Sequence, residues 1–463
     1  MYMAIKVETT ENTYVKPDVF IPFISHDIVT QYKSNASVPI IGTRVLNINP
    51  IKDIIEAPAG SVKVQIEPKT FGYFLRGVMG AVTSGRYFPI SGVTGTFVVG
   101  ETVTGGTSAA TATVLAVSAE NDYLIMGAPT GTFTAAGENL TGGTSAATAA
   151  LGVNAGTVYG HEFKAPQTSL PTFTVEFGYD DMAFRFGGVR FNGFNSISHD
   201  NNIITADIGV FARSEFKHAR VTAVTTAGST KTITVDQTTG FTTSDSIKIY
   251  RPSTGAFIDL NGSGVKFEAV ASIPTELTFT LATLTDATAV GDLVVLAPQT
   301  PSYSVDTELA WIGASVARIS TTATLAIAAS GASIEEFELS VMNEMEGRHA
   351  ANGTNIINRF PTKNHLKKLA LEGTLKKAYL DQTYLDIVRN GTAMALQIRH
   401  TGRQIASTGV YHTLDWRLPN LIFRPHNPNP EEDKVLDEDM SFDGYLNSAY
   451  TGKALLVNAN TAY

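Results

Sequence analysis

An alternation of apolar and polar residues recurs along most of the chain. A period of two predicts β-strands that bury one face. The pair Gly187–Gly188 interrupts one apolar row and predicts a bulge or turn there. The rows are Phe173, Val175 and Phe177; Phe184, Phe186, Val189 and Phe191; Ile204, Ala206, Ile208 and Val210; Ile233 and Val235; Leu277 and Phe279; and Phe337, Leu339 and Val341.

Helical spacing is scarce by comparison. One helix is predicted after Pro68, because Pro suits a first helical turn, and it should end at Gly80. A second short helix is predicted from Asp381 to Val388. The apolar stripe of the first helix consists of Phe71, Phe74, Leu75 and Val78. The pattern therefore predicts a mainly β protein with short helices packed on its sheets.

Two segments differ from the rest of the chain in residue composition and sequence pattern. The sequence GTFVVGETVTGGTSAATATVLAV, which starts at Gly95, returns in modified form from Gly131, and TGGTSAATA is identical in both copies. Each copy predicts a strand, a Gly-Gly turn and a strand, so the two form a small β module that leans on a neighbouring part of the protein. The segment from Val221 to Pro298 holds several short Thr- and Gly-rich strands, which predict a small β-sandwich or barrel.

Composition narrows the possible functions. Charged residues make up only 17% of the chain, below the roughly 25% of ordinary globular domains. The net charge of −9 argues against a protein that grips nucleic acid by neutralising phosphates. The chain has no cysteine, so disulfides and thiolate metal sites are excluded. No secretory signal and no run of about 18 apolar residues is evident, which favours a protein made and kept in a cytoplasm.

Candidate chemistry is sparse. No nucleophile elbow, phosphate-binding loop, dinucleotide fingerprint or HExxH motif is present, so we expect no catalytic, cofactor-binding or metal-binding residues. In the acidic stretch Glu431 to Asp443, Asp437, Asp439 and Asp443 could bind a hard cation, but the spacing fails the EF-hand pattern. We interpret that stretch as a solvated acidic loop.

One strand carries a distinctive row of charges. From Ile334 to Glu346, the apolar Phe337, Leu339 and Val341 point one way. A period of two places a row of carboxylates on the other face. That row consists of Glu336, Glu338, Glu344 and Glu346. The simplest interpretation is a solvated sheet face, whereas in a closed ring it would line a channel with negative charge.

The sequence outside the two segments resembles the phage tail tube (major tail) protein family. The residues that carry the resemblance are VKPDVFIPFISHDI (Val15–Ile28), SVPIIGTRVLN, EAPAGSVKVQIEPKTFGYFLRGVMGAV (Glu56–Val82), the stretch His161–Arg213 with LPTFTVE and GGVRFNGF, ASIEEFELSVMNEMEGR, and LALEGTL (Leu369–Leu375). The resemblance is one of pattern over about two thirds of the chain, and the two foreign segments depart from it.

The resemblance implies two tube-type β-sandwich or barrel domains that carry two inserted small β modules. The predicted boundaries are 1–92 plus 159–215 for the first tube domain and 300–463 for the second. The first module spans 93–158 and the second module spans 216–299. These names are kept below for those residues, whose boundaries are predictions.

The resemblance also implies a structural virion protein with no enzymatic activity. Its subunits would self-assemble into stacked rings, trimeric with pseudo-sixfold symmetry, and form the conduit for DNA passage during infection. DNA would pass without specific binding, past the lumen-facing candidates Glu336, Glu338, Glu344 and Glu346. Other tail proteins (tape measure, terminator and distal tail proteins) would be its partners in the virion tail, after assembly in the host cytoplasm, and no membrane is involved.

Other classes of protein remain open at this point. The Thr- and Gly-rich repeats also suit a carbohydrate-binding adhesin, although between Gly95 and Val153 the aromatic residues are only Phe97, Tyr123 and Phe133. A capsid or virion surface decoration protein is a closer alternative. A tail-associated hydrolase would need paired carboxylates or a nucleophile with a base, and no spacing in the sequence indicates either.

Overall fold

The structure is a computed structural model and describes the chain with several gaps. It covers residues 1–463 except 34–35, 38–48, 51–54, 135, 154–156, 166–168, 201, 228–229, 244, 259–267, 273–277, 282–287, 305–306, 311–314, 328–330, 333, 349–362, 379–382, 425–436 and 448–449. The stretch SVPIIGTRVLN, Leu277 and Asp381 fall wholly or mainly in those gaps. The described residues form 33 strands and two helices, so the predicted mainly β class is confirmed.

The chain up to the repeat contains eight strands and one helix. They are β1 (Tyr2–Val7), β2 (Val19–Ile21), β3 (Ser25–His26), β4 (Val29–Lys33), β5 (Ala36–Ser37), β6 (Asn49–Pro50), β7 (Ile55–Gln65), α1 (Phe71–Met79) and β8 (Val82–Thr94).

The repeat and the stretch after it contribute ten strands. They are β9 (Thr102–Gly105), β10 (Thr111–Val117), β11 (Tyr123–Met126), β12 (Asn139–Gly142), β13 (Thr148–Leu151), β14 (Tyr159–Ala165), β15 (Phe173–Gly178), β16 (Ala183–Asp200), β17 (Ile203–Phe211) and β18 (Ser214–Phe216). In each copy of the repeat, two strands flank the Gly-Gly turn, as the sequence predicts, and β9 pairs with β12 across the two copies.

The remaining elements follow in two groups. Those of the second module are β19 (Ala219–Ala227), β20 (Thr230–Val235), β21 (Ser246–Arg251), β22 (Ala256–Phe257), β23 (Glu268–Ser272), β24 (Thr278–Leu281) and β25 (Leu293–Leu296). Those after it are β26 (Ser315–Ser320), β27 (Gly331–Ala332), β28 (Glu336–Arg348), β29 (Lys363–Ala378), α2 (Thr383–Arg389), β30 (Met394–Gln404), β31 (Tyr411–Phe423), β32 (Asp437–Gly444) and β33 (Gly452–Asn458).

Both predicted helices and the predicted bulge are present. Helix α1 ends at Gly80, whose φ of 88° suits a residue without a side chain. Its four predicted stripe residues are all buried. The register between β15 and β16 shifts between the Val175–Phe186 and Phe173–Val189 pairs, so the extra residue falls at Gly187–Gly188, where Gly188 has a φ of 58°.

Two sets of strands share one pairing scheme. In the first set β1 pairs with β2 and β15, β4 with β7, β7 with β17, and β16 with β15, β17 and β18. In the second set β26 pairs with β27 and β30, β28 with β29, β29 with β32, and β31 with β30, β32 and β33. Helix α1 follows β7, as α2 follows β29.

A single pairing connects the two sets into one long sheet. Residues Gly193, Phe194 and Ile197 of β16 lie opposite Met342, Val341 and Leu339 of β28. The resulting strand order is β4–β7–β17–β16–β28–β29–β32–β31. We call this the long sheet. The long strands β16 and β31 bend, so their first parts belong to a second layer that contains β15 and β30.

The core lies between these two layers. Helix α1 packs there against the long sheet, with Phe71 stacked on Phe194 of β16 at a centroid distance of 5.4 Å. Residues of the second set join the same apolar cluster, among them Leu339, Leu375, Phe442 and Trp416. The opposite face of the long sheet therefore carries its polar residues.

The prediction of half-exposed strands is wrong for β15. All six of its residues are buried, including Thr174 and Glu176, which alternate with its aromatic residues. Thr174 donates a hydrogen bond to Glu8, and Glu176 accepts one from Tyr2. Segments distant in sequence cover the second face, which the local pattern cannot reveal.

Candidate functional site

The predicted acidic row lies on the polar face of the long sheet. Strand β28 buries Phe337, Leu339 and Val341 against the core, as predicted. Glu336, Glu338 and Glu344 are exposed, and Glu346 is half-buried. The four carboxylates project from one face because the alternation holds along β28, while the register shift between Asn343 and Met345 places the extra residue on β29.

Two of these four carboxylates have lysine partners on β29. The Nζ atom of Lys367 lies 2.9 Å from Oε2 of Glu346. The Nζ atom of Lys376 lies 3.9 Å from Oε1 of Glu336, which it faces across the strand pair. Exposed pairs of this kind contribute little to stability, on the order of 0–1 kcal/mol. They reduce the negative potential at both ends of the row and leave the middle acidic.

Strands β29 and β32 widen the acidic face. Glu372 faces Ser340 on one side and Asp443 on the other, and Asp439 faces Lys376. The sequence analysis considered Asp439 and Asp443 only as cation ligands of a loop and did not single out Glu372, although the alternation within LALEGTL and DEDMSFD could have placed all three on this face. With the four on β28, seven carboxylates share this part of the sheet.

Arg424 partly neutralises the negative charge of the acidic face near Asp443 and Glu372. Its Nε atom donates a hydrogen bond of 2.9 Å to Oδ2 of Asp443, and its Nη2 atom lies 3.5 Å from Glu372. The hydrogen bond from Arg424 holds the pKa of Asp443 below its usual value. Asp443 therefore stays charged at neutral pH.

The prediction of a solvated acidic loop at Glu431–Asp443 is wrong for its last part. Asp437 to Gly444 form strand β32, and Met440 and Phe442 are fully buried in the core. Their alternation with polar residues matches the pairing with β29. Residues 431–436 lie outside the described residues.

The first half of the long sheet has a different polar face. Lys63 of β7 faces Asp207 of β17, and Asn195 of β16 donates a 3.3 Å hydrogen bond to Asp207. Ser61 and Gly209 continue this face. On this face Lys63 and Asp207 balance each other, whereas the second half presents seven carboxylates to the three cations named above and to the nearby Lys368.

The acidic and imidazole side chains do not gather into a metal site in the residues that the structure covers. No group of three or more His, Asp or Glu side chains there could hold a metal ion. Neither described helix has the length and apolar character needed to cross a membrane.

A comparison with protein families confirms the resemblance. Residues 221–444 match the family model described as phage tail tube protein, just under half of the 463 residues. The match supports a structural protein of the phage tail, and the family implies an oligomeric assembly with other tail proteins in the virion tail. No curated protein was found to match the chain.

The matched range differs from the stretches that carried the resemblance. It starts at Val221, so it contains most of the second module and leaves out His161–Arg213. The second module pairs with β16 at Ala183, which lies opposite Leu296, and at Arg185, which lies opposite Phe216. The interpretation of residues 216–299 as an insertion, and the other predicted boundaries, stay predictions.

Proposed function

We propose that this chain is a tail tube subunit that self-assembles into stacked rings, and that the channel of those rings conducts DNA. The shared pairing scheme of the two strand sets carries the proposal. The order β4–β7–β17–β16 corresponds element by element to β28–β29–β32–β31. We interpret the two sets as two copies of one tube domain within a single chain.

The pairing of β16 with β28 then suggests how rings close. Inside the chain, the last strand of the first set pairs with the first strand of the second set. The two edge strands of the long sheet are β4, at the end formed by the first set, and β31, at the end formed by the second set. By analogy, β31 of one chain would pair with β4 of the next chain. Among the described residues β4 pairs only with β7, and no described strand pairs with its other edge. An open edge tends to pair with another chain, and a closed ring removes that hazard.

Three chains joined in this way would contribute six tube domains. The long sheets would form a continuous barrel whose polar faces line the channel. The carboxylates of β28, β29 and β32 would repel the phosphate backbone within a Debye length of about 8 Å, so DNA would slide without binding. In this proposed arrangement Glu336, Glu338, Glu344 and Glu346 would face the lumen.

Both modules would then lie outside the channel. The first module pairs with β8 through β11 and β13, and β8 pairs with β14. The second module contacts the first part of β16 through β25. These strands belong to the layer on the far side of the core from the acidic face. A module in the lumen would block a bore that must pass DNA.

Negative-stain electron microscopy of the purified chain, over a concentration series, tests the proposal. We expect rings or hollow tubes with an open channel and threefold or pseudo-sixfold symmetry. Val29, which is 58% exposed on the open edge of β4, provides an edge variant. V29K should prevent ring closure, because a lysine on an edge strand opposes pairing with another chain.

The matched control is Val290, which is 69% exposed in the second module. V290K should assemble as the unsubstituted chain does. Spherical shells, or compact particles in which both variants behave alike, would favour a capsid or decoration protein and refute ring closure through β4.

A further inference from the structure

Two buried arginines occupy corresponding positions in the two strand sets. Arg185 of β16 lies opposite Glu176 of β15, and Arg417 of β31 lies opposite Gln397 of β30. On their other sides, Arg185 faces β18 and Arg417 faces β33. Both side chains are almost fully buried, at 1% and 0% exposure. Because a buried cation needs charged partners, each position requires a carboxylate.

Arg185 takes one of its two carboxylates from the second module. Its Nε and Nη2 atoms donate hydrogen bonds of 3.0 and 2.6 Å to Glu176. Its Nη1 and Nη2 atoms donate bonds of 2.8 and 3.0 Å to Asp245 of the module. The carbonyl of Gly240, in the same module loop, accepts a further bond of 2.8 Å from Nη1.

The loop around Asp245 is built to present this carboxylate. Asp245 also accepts hydrogen bonds from the backbone and side chain of Thr242, three residues before it. Phe241 from the same loop packs on Phe216 at a centroid distance of 4.5 Å. Burial alone would lower the pKa of Arg185, but the hydrogen bonds and charges of Asp245 and Glu176 raise it above its usual value.

Arg417 binds one carboxylate of its own strand and two carboxylates of the first module. Its Nε and Nη2 atoms donate bonds of 3.0 and 2.9 Å to Asp415 on its own strand. The loop between β10 and β11 adds Glu120, which pairs closely with Nη1, and Asp122, which lies 3.5 Å from Nη2. Ser118 of the same loop accepts a 3.3 Å bond from Nη1.

Arg399 reinforces this second contact. It donates bonds from Nη2 to Asp122 of the module at 3.0 Å and to Asp415 at 2.9 Å. The loop from Ser118 to Asp122 thus enters the second strand set, almost 300 residues further along the chain. Without this loop, the fully buried Arg417 and the half-buried Arg399 would share the single carboxylate of Asp415.

We propose that each strand set carries an arginine socket, formed around Arg185 or Arg417, that binds an acidic loop of an accessory β module. The bound module is the second module at Arg185 and the first module at Arg417. The two modules differ in sequence, yet both contact the arginine at the corresponding strand position. Asp245 binds Arg185 through both of its carboxylate oxygens, whereas Glu120 and Asp122 bind Arg417 through two separate carboxylates. The socket fixes each module rigidly on the second layer, which contains β15 and β30, independently of ring formation.

The sockets also explain why an arginine is buried at these positions. A buried ion pair contributes little net stability compared with apolar residues, but removing one partner is strongly destabilising. A module held in this way docks only in the orientation that brings its carboxylate to the guanidinium. The arginine therefore specifies which loop docks and in which orientation.

Hydrogen exchange of the full chain, read peptide by peptide, tests the sockets. D245N keeps the size of the side chain and removes its charge, and it should raise exchange in the second module by about 100-fold or more. Strands β9 to β13 of the first module should be unaffected. The double variant E120Q/D122N should produce the reverse pattern, with exchange rising in the first module alone.

The arginine variants R185M and R417M should reproduce the same two patterns. Combining R185M with D245N should add little to the larger single effect, because the two residues act as one unit. R389M, at an exposed arginine of α2, is the control and should leave both modules protected. If R185M or R417M does not fold, hydrogen exchange of D245N and of E120Q/D122N still tests the sockets, because these substitutions keep the size of the side chains.

Two results would overturn the proposal. One is a rise in exchange over both modules and both strand sets together, which would make the arginines ordinary core groups. The other is unchanged protection of a module whose socket carboxylates have been neutralised, which would show that the remaining contacts hold it.

Discussion

The carboxylate of Glu138 caps the turn that contains Ser108, thirty residues earlier in the chain. Oε1 of Glu138 accepts hydrogen bonds from the backbone N–H of Ser108 at 2.7 Å, from its hydroxyl at 2.6 Å and from the N–H of Thr107 at 3.1 Å. The other copy of the repeat reciprocates, because Glu101 accepts bonds from the N–H of Ser145 at 2.9 Å and of Thr144 at 3.1 Å. Each copy of TGGTSAATA is therefore completed by the glutamate of the other.

The first prediction concerns the acid stability of this exchange. Although burial by itself raises the pKa of Glu138, its hydrogen bonds with Ser108 and Thr134 lower the value to about 2. A carboxylate with a depressed folded pKa stabilises above its unfolded pKa, and that stability is lost as pH falls toward the folded pKa. We expect the first module to unfold progressively as the pH falls from about 4.5 to about 2. Hydrogen exchange of the amides in β9 to β13 measures this unfolding.

E138Q provides the matching variant. It should destabilise the first module by about 2 kcal/mol at pH 7, because hydrogen bonds to a charged carboxylate are lost, and it should flatten the acid transition of the module. E101Q should do the same from the other copy. Equal acid sensitivity in E138Q and the unsubstituted chain would contradict the assignment of the transition to this carboxylate.

A second prediction concerns the docking of Tyr463 beside α1. Its ring packs edge-on against Tyr73 at 5.1 Å and lies under Gly72, where a Cβ atom would stand 2.2 Å from the ring. Its hydroxyl donates to the carbonyl of Pro68 at 3.1 Å. Y463A should lower the free energy of unfolding by about 3–5 kcal/mol, as expected for a buried aromatic residue.

Two further variants separate packing from hydrogen bonding at this position. Y463F should cost only about 1 kcal/mol, because it keeps the ring and loses the hydroxyl bonds. G72A should approach the effect of Y463A, since the new methyl group and the ring cannot occupy the same space. Urea unfolding measures all three, and a neutral G72A would contradict the close contact.

A third prediction concerns mild acid and His161. Burial lowers the pKa of His161 to about 4, although hydrogen bonds with Asn458 and the carbonyl of Asn460 favour the charged form. Between about pH 6.5 and 4 the unfolded chain binds a proton that the folded chain does not, so stability falls as pH falls. The loss should reach about 3 kcal/mol at pH 4.

H161Q isolates this contribution. The variant should be less stable at pH 7, because Ser84 and Asn458 lose their fitted partner, but its stability should change less between pH 7 and pH 4. Urea unfolding at four pH values in this range measures the slope. An unchanged slope in H161Q would assign the pH dependence to other groups.

A fourth prediction concerns the acidic face. Neutralising Glu336, Glu338 and Glu344 together should leave assembled tubes intact, because all three side chains are exposed and away from the core. It should increase the retention of short duplex DNA by tubes at low salt, and high salt should abolish the difference. Sedimentation of tubes with labelled DNA measures the retention.

The control for this variant neutralises exposed carboxylates elsewhere. Asp18, Asp181 and Asp386 are each more than 60% exposed and lie off the long sheet. The triple variant D18N/D181N/D386N changes the net charge equally. Equal DNA retention by the two triple variants would show that total charge matters and that the β28 face does not line the channel.

The elements that the sequence predicted well depend on residues close together in the chain. The stripe from Phe71 to Val78 and the stop at Gly80 define α1 without outside help. The bulge at Gly187–Gly188 and the two hairpins of the repeat are equally local. In each case the backbone preference of a few residues and the period of their apolar positions agree.

The predictions that were wrong concern residues whose partners are distant in the chain. β15 is buried on both faces because Tyr2, Glu8 and Arg185 reach it from other parts of the chain. The acidic stretch before Gly444 contains a strand because β29 offers an edge to Met440 and Phe442. The glutamates of the repeat were visible as GE in both copies, but their partners in the other copy were not.

The sequence by itself determined the strand-rich class, the helices, the repeat and the one-sided row of carboxylates on β28, because side-chain period and turn chemistry act over a few residues. Only the tertiary structure decided that β16 pairs with β28, that lysines of β29 partly neutralise the row, and that Arg185 and Arg417 receive carboxylates from the modules. Strand partners and counter-ions are chosen by burial and charge between segments up to 300 residues apart, where no local pattern encodes the pairing.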